Sequence, residues 1–83
     1  MSNKTSGKFS IEVTSVPDRP GLVAEVWSGE ELLAELRHED SRLRVQVYPA
    51  PNRQSWDFTY EEFTVALQQA RDKLGPANER ANG

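Results

Sequence analysis

The sequence predicts an α+β fold: a four-stranded antiparallel β-meander followed by one C-terminal α-helix packed across one face, in the order ββββα. Three observations carry this. Apolar and polar residues alternate with a period of two over 9–14 and 42–48, and 22–27 sets Leu22, Ala24 and Val26 on one face against Val23, Glu25 and Trp27, the pattern of strands with one buried face. Turn-forming residues separate the runs, at Ser28-Gly29 and at Glu39-Asp40-Ser41. A complete helix-start signature then stands at Thr59, with apolar residues at helical spacing behind it.

Residues 1–8, MSNKTSGK, contain nothing to bury and are expected to form a disordered tail, as are residues 76–83. The folded domain is expected over 9–75. In the first strand Phe9, Ile11 and Val13 share one face and Ser10, Glu12 and Thr14 the other. The segment VPDRPG at 16–21 is a loop, because two prolines remove ladder donors and Pro-Gly favours a turn. In the second strand Leu22, Ala24 and Val26 oppose Val23, Glu25 and Trp27.

The third run, EELLAELR at 30–37, admits two readings. Its residues are good helix formers, and Ser28 with Glu31 fits a capping box. Only about two helical turns fit between the flanking turn signals, however, and isolated helices that short are marginal. A strand there pairs with both neighbours. It sets Leu32, Ala34 and Leu36 on the core face and Leu33, Glu35 and Arg37 on the other. The fourth strand alternates most cleanly, Leu43, Val45 and Val47 against Arg42, Arg44, Gln46 and Tyr48, until Pro49 and Pro51 end it.

Trp56 and Phe58 close the following loop and are too apolar to be left in solvent. The helix is expected over 59–74. Thr59 at N-cap and Glu62 at N3 make a capping box, and Phe58 and Phe63 stand where a hydrophobic staple needs them. Asp57, Glu61 and Glu62 suit the positive end of the helix dipole, and Arg71 and Lys73 the negative end. Gly75 and Pro76 end the helix. Phe63, Leu67, Ala70 and Leu74, with Ala66 beside them, form the buried stripe. The expected core joins this stripe to the apolar face of all four strands.

Composition narrows the function classes. The chain has 83 residues, no cysteine and a single histidine, His38. Disulfides and thiolate metal sites are therefore excluded, a histidine cluster cannot form, and no calcium-loop pattern occurs. Neither a metal nor a cofactor is expected. A net charge of −3, from 13 acidic and 10 basic residues, argues against a dominant phosphate-binding surface. No apolar run is long enough to span a bilayer, and no apolar segment behind the N-terminus suggests a signal peptide, so the expected location is cytoplasmic. His38 near Glu39, Asp40 and Ser41 reads as a solvated turn, because a triad needs a nucleophile positioned from elsewhere. We expect no enzymatic activity.

What remains is surface. With the helix on one face, the opposite sheet face carries Trp27, Leu33 and Tyr48, ringed by Glu25, Glu35, Arg37 and Arg44. Aromatic residues on an uncovered face are typical interface anchors. The expectation is a small acidic protein-binding module, acting as an inhibitor, immunity-type or accessory protein, with a homodimer as one form of partner. The alternatives are a homo-oligomeric structural protein and a nucleic-acid-binding accessory domain using Arg42, Arg44, Arg53 and Trp56.

Overall fold

The structure, a computed structural model, describes residues 8–17 and 20–76. Of the expected tails 1–8 and 76–83, residues 1–7 and 77–83 lie outside the described residues. The elements are β1 (Phe9–Ser15), β2 (Leu22–Ser28), β3 (Glu31–Glu39), β4 (Arg42–Val47) and α1 (Tyr60–Leu74). Neighbouring strands are antiparallel and lie in sequence order, so the sheet is a plain meander with β1 and β4 at its edges. Residues 31–39 are a strand, and the short-helix reading of 30–37 is excluded.

Turn chemistry fits each hairpin. Gly29 supplies the positive φ of the β2–β3 turn, where no side chain need be accommodated. At the β3–β4 turn Asp40 and Ser41 both take positive φ, 55° and 64°, the pattern of a two-residue turn whose twist matches that of its strands. Asp tolerates this region better than most residues.

The start of α1 is built as the sequence indicates. Glu62 donates its backbone N–H to Thr59 Oγ1 at 3.0 Å, and Thr59 donates its own to Glu62 Oε1 at 3.2 Å. The Thr59 N–H, with Lys8 Nζ at 3.5 Å adding to it, holds the Glu62 carboxyl below the ordinary glutamate range. Phe58 and Phe63 stack with ring centroids 6.1 Å apart, completing the staple. At the other end Gly75, with φ of 84°, donates its N–H to Arg71 O at 3.0 Å.

The helix packs Ala66 and Ala70 directly onto the sheet, with Phe63, Leu67 and Leu74 flanking them. Their facing partners are Phe9, Ala24, Val26, Leu33, Ala34 and Leu36. Two small residues at the helix centre let it approach the strands closely. The core therefore lies under β1, β2 and β3, and the helix contacts those strands in the main.

Two expectations about packing are corrected here. First, the core does not extend across the whole sheet. Leu43, Val45 and Val47 are 37%, 46% and 54% exposed, and Val13 and Leu22 are exposed too. For β4 the reason is width: a helix is about 10 Å across, while four strands at about 4.8 Å span about 19 Å. One helix cannot roof four strands, and it leaves β4 open.

Second, Leu32 and Leu33 exchange roles. The β2–β3 ladder pairs Val26 with Ala34 but Trp27 with Leu32, so Leu33 is the extra residue of a β-bulge. The bulge breaks the alternation. Leu33 falls on the helix side beside Ala34 and is 1% exposed. Leu32 takes the place opposite Trp27, on the face away from the helix, since cross-strand partners share a face.

Candidate interaction surfaces

The register lays out the face away from the helix in rows. Ser10, Trp27 and Leu32 form one; Glu12, Glu25, Glu35 and Gln46 the next; Thr14, Val23, Arg37 and Arg44 a third. The middle row sets three carboxylates side by side, an unfavourable arrangement that needs donors. Trp27 Nε1 donates to Glu25 Oε1 at 3.2 Å, and the Tyr48 hydroxyl donates to Glu35 Oε1 at 2.9 Å. Arg37 lies 3.8 Å from Glu35 Oε2 and 3.4 Å from Glu39, and donates to Gln46 Oε1 at 3.0 Å.

Five residues expected to form a binding patch are thus brought together, as a hydrogen-bonded network. Trp27 and Tyr48 are half-buried, and Glu35 is 94% removed from solvent. Leu33 is not on this face at all; it lies in the core, for the bulge reason given above. Arg44 stands at the margin, exposed and 3.7 Å from Glu39. Val23, on this face as alternation places it, is 1% exposed between its cross-strand neighbours Thr14 and Arg37. Long arginine stems cover apolar surface while their heads stay solvated. This face presents carboxylates, amides and guanidinium groups to solvent, and its large apolar residues are half-buried or more.

The basic–aromatic combination does not assemble into one surface. Arg42 pairs across the ladder with Glu39, and Arg44 also lies against Glu39. Arg53 sits 5.2 Å over the Trp56 ring and 3.3 Å from Glu31. Trp56 donates Nε1 to Tyr48 O at 2.8 Å and packs against the core, pinning the 49–59 segment across the end of the sheet. Its ring stacks on Phe58 at 5.7 Å, and Phe58 meets Phe9 edge-on at 5.0 Å. A stacking platform for a base needs an open aromatic face, and this ring already stacks on Phe58 and carries Arg53.

His38 is placed differently from the solvated turn expected of it. It lies within β3, half-buried on the helix side, with Nε2 2.8 Å from Gly75 O. That contact joins the C-terminal end of β3 to the C-cap of the helix. Among the described residues no group of three or more His, Asp or Glu is arranged to hold a metal ion. No helix among them is long and apolar enough to cross a membrane.

The surface that sequence reasoning missed is on the helix side. The large apolar side chains that stay exposed there include Leu43, Val45 and Val47, three successive inward positions of one strand. They form a strip running the length of β4. At its Val47 end the strip opens into a groove of about 360 Å³ lined by Leu33, Trp56, Phe58, Tyr60 and Phe63. Tyr60, 78% exposed, stands at the mouth. The signal in the sequence was the count of elements: four apolar strands and only one helix to cover them. Comparison of the chain with protein-family models, with curated proteins and with solved structures finds no match.

Proposed function

We propose that this chain is a small acidic protein-binding module without enzymatic activity of its own, acting in the cytoplasm as an inhibitor, immunity-type or accessory protein. One observation carries the reading: the uncovered apolar strip of Leu43, Val45 and Val47, continuous with the groove beside Tyr60. Contiguous exposed apolar surface on a small domain marks an interaction site. Its exposed tyrosine is the type of side chain that anchors interfaces. The strip lies beside a polar far face, so a partner seated on it meets a dry centre and a charged margin, the usual anatomy of an interface. The far face, with Leu32 in the position expected for Leu33, is the weaker surface because Trp27 and Tyr48 already spend their polar atoms on Glu25 and Glu35.

Affinity capture from an extract of the source cells separates these surfaces. Val47→Glu changes an exposed side chain, and such substitutions usually shift stability by no more than about 0.5 kcal/mol. The expected outcome is a partner protein retained by the unaltered chain and by Trp27→Ser, and lost with Val47→Glu. Loss with Trp27→Ser and retention with Val47→Glu assigns binding to the far face instead. Salt-sensitive retention of nucleic acid, abolished by Arg44→Gln, refutes the protein-binding reading.

A further inference from the structure

We propose that β4 is the pairing edge of a symmetric dimer, two copies of the chain joining antiparallel about a two-fold axis at Val45 so that two four-stranded sheets become one. The proposal rests on the protein-binding reading above and names the partner of the strip as a second copy.

Backbone direction carries the argument furthest. Tyr48 donates its N–H to Leu33 O at 2.9 Å. In an antiparallel ladder the residues bonded to one neighbour alternate with those turned away from it. Gln46, Arg44 and Arg42 therefore face β3, while Leu43, Val45 and Val47 direct N–H and C=O groups outward from the free edge. The three residues with uncovered apolar side chains are the three with unpaired backbone. An edge in that state is a template for another strand.

Among the described residues no element covers it. Residues 1–7, 18–19 and 77–83 include a single large apolar residue, Met1. Two common protections of an edge are missing from β4: it has no proline, and its ladder with β3 runs without a bulge; its charged residues, Arg42 and Arg44, lie on the face away from the strip. At the opposite edge, β1, Phe9 is buried and Ile11 packs against the core under α1.

Pairing a second copy leaves one favourable register. Centring the pair on Arg44 sets that residue against its own copy. Centring it on Val45 sets Arg44 opposite Gln46, Arg42 opposite Tyr48, Leu43 opposite Val47, and Val45 opposite itself. All three outward residues of each copy then bond, giving six new backbone hydrogen bonds, and the apolar strips meet side by side. Centring on Gln46 brings Pro49 opposite Leu43 and forfeits a donor. The strand is self-complementary in one register, as an isologous interface requires. Seven paired residues at about 3.4 Å each make a contact smaller than the roughly 800 Å² per partner of a standard interface, so the dimer dissociates on dilution.

Sedimentation equilibrium of the full chain, from micromolar to millimolar concentration, is expected to show reversible monomer and dimer. The absence of native cysteine makes the register directly readable. Arg44 and Gln46 of opposite copies form a non-hydrogen-bonded pair with Cα atoms about 4.5 Å apart, within disulfide reach. An equimolar mixture of Arg44→Cys and Gln46→Cys is expected to oxidise chiefly to the mixed disulfide, well above the statistical share. Val45→Pro, which removes an outward donor and no bond to β3, is expected to be monomeric throughout with an unchanged circular dichroism spectrum. If that variant does not fold, the cysteine mixture still decides. A chain monomeric at millimolar concentration, or a dimer giving only the statistical share of mixed disulfide, overturns the pairing. Monomeric behaviour combined with capture of another protein through Val47 overturns the pairing alone and leaves the binding reading in place.

Discussion

Replacing Leu33 with alanine is expected to lower the unfolding free energy by about 2–5 kcal/mol, the range for truncating a leucine in a core that cannot collapse around the gap. The same change at Leu32 is expected to cost about 1 kcal/mol or less, as for a partly solvated position. The two residues are adjacent and chemically identical, so only their placement separates them. Leu33 is 1% exposed among Phe9, Ala34, Leu36 and the residues of α1, and its side chain also floors the groove beside Trp56 and Phe63. Leu32 is half-buried opposite Trp27. A domain of this size has a total stability of about 4–12 kcal/mol at roughly 0.05–0.15 kcal/mol per residue, so the Leu33 variant loses a large fraction of it. Urea denaturation followed by circular dichroism measures both. The reverse ordering contradicts the bulge and restores simple alternation along β3.

The second large effect is expected at Phe58. This ring touches Phe9 from β1, Trp56 from the preceding segment and Phe63 from the helix, at 5.0, 5.7 and 6.1 Å between centroids. It therefore ties β1 to the segment that enters the helix and to the helix's first turn. Removing it as Phe58→Ala is expected to cost about 3 kcal/mol, the low end for a phenylalanine because the ring is only half-buried. Aromatic pairs contribute about 0.5–1.5 kcal/mol beyond their area, so Phe58→Leu is expected to recover only part of the loss. Trp56 emission is expected to shift to the red in Phe58→Ala, because its stacking partner is gone. An unchanged denaturation midpoint excludes Phe58 as the link between sheet and helix.

Local signals in the sequence carried the elements well. Alternation placed β1, β2 and β4, and the capping box with its staple located the helix start at Thr59, where it stands. These features depend on residues within one turn or one strand of each other, so a linear reading reaches them. Leu33 was misplaced for a different reason. Two adjacent leucines in EELLAELR fit a regular strand with one leucine out, and equally a bulged strand with the second leucine in. The choice is made by packing against Trp56, Phe58 and Phe63, which lie more than twenty residues away. The burial of Glu35 is beyond a linear reading for a similar reason: its donors include the Tyr48 hydroxyl, on the far side of a turn. The β4 strip escaped notice because alternation reports which side chains share a face, and says nothing of whether the opposing layer is wide enough to reach them.

The central claim is that α1 roofs β1 to β3 and leaves Leu43, Val45 and Val47 open for a partner. Methyl NMR with a soluble paramagnetic agent, on a sample dilute enough to be monomeric, tests it most directly. The account predicts strong relaxation enhancement at the methyls of Leu43, Val45 and Val47 and almost none at Leu33 and Leu36. Val45 and Val47 methyls as protected as those of Leu36 would contradict it, because the strip would then belong to the core of the monomer.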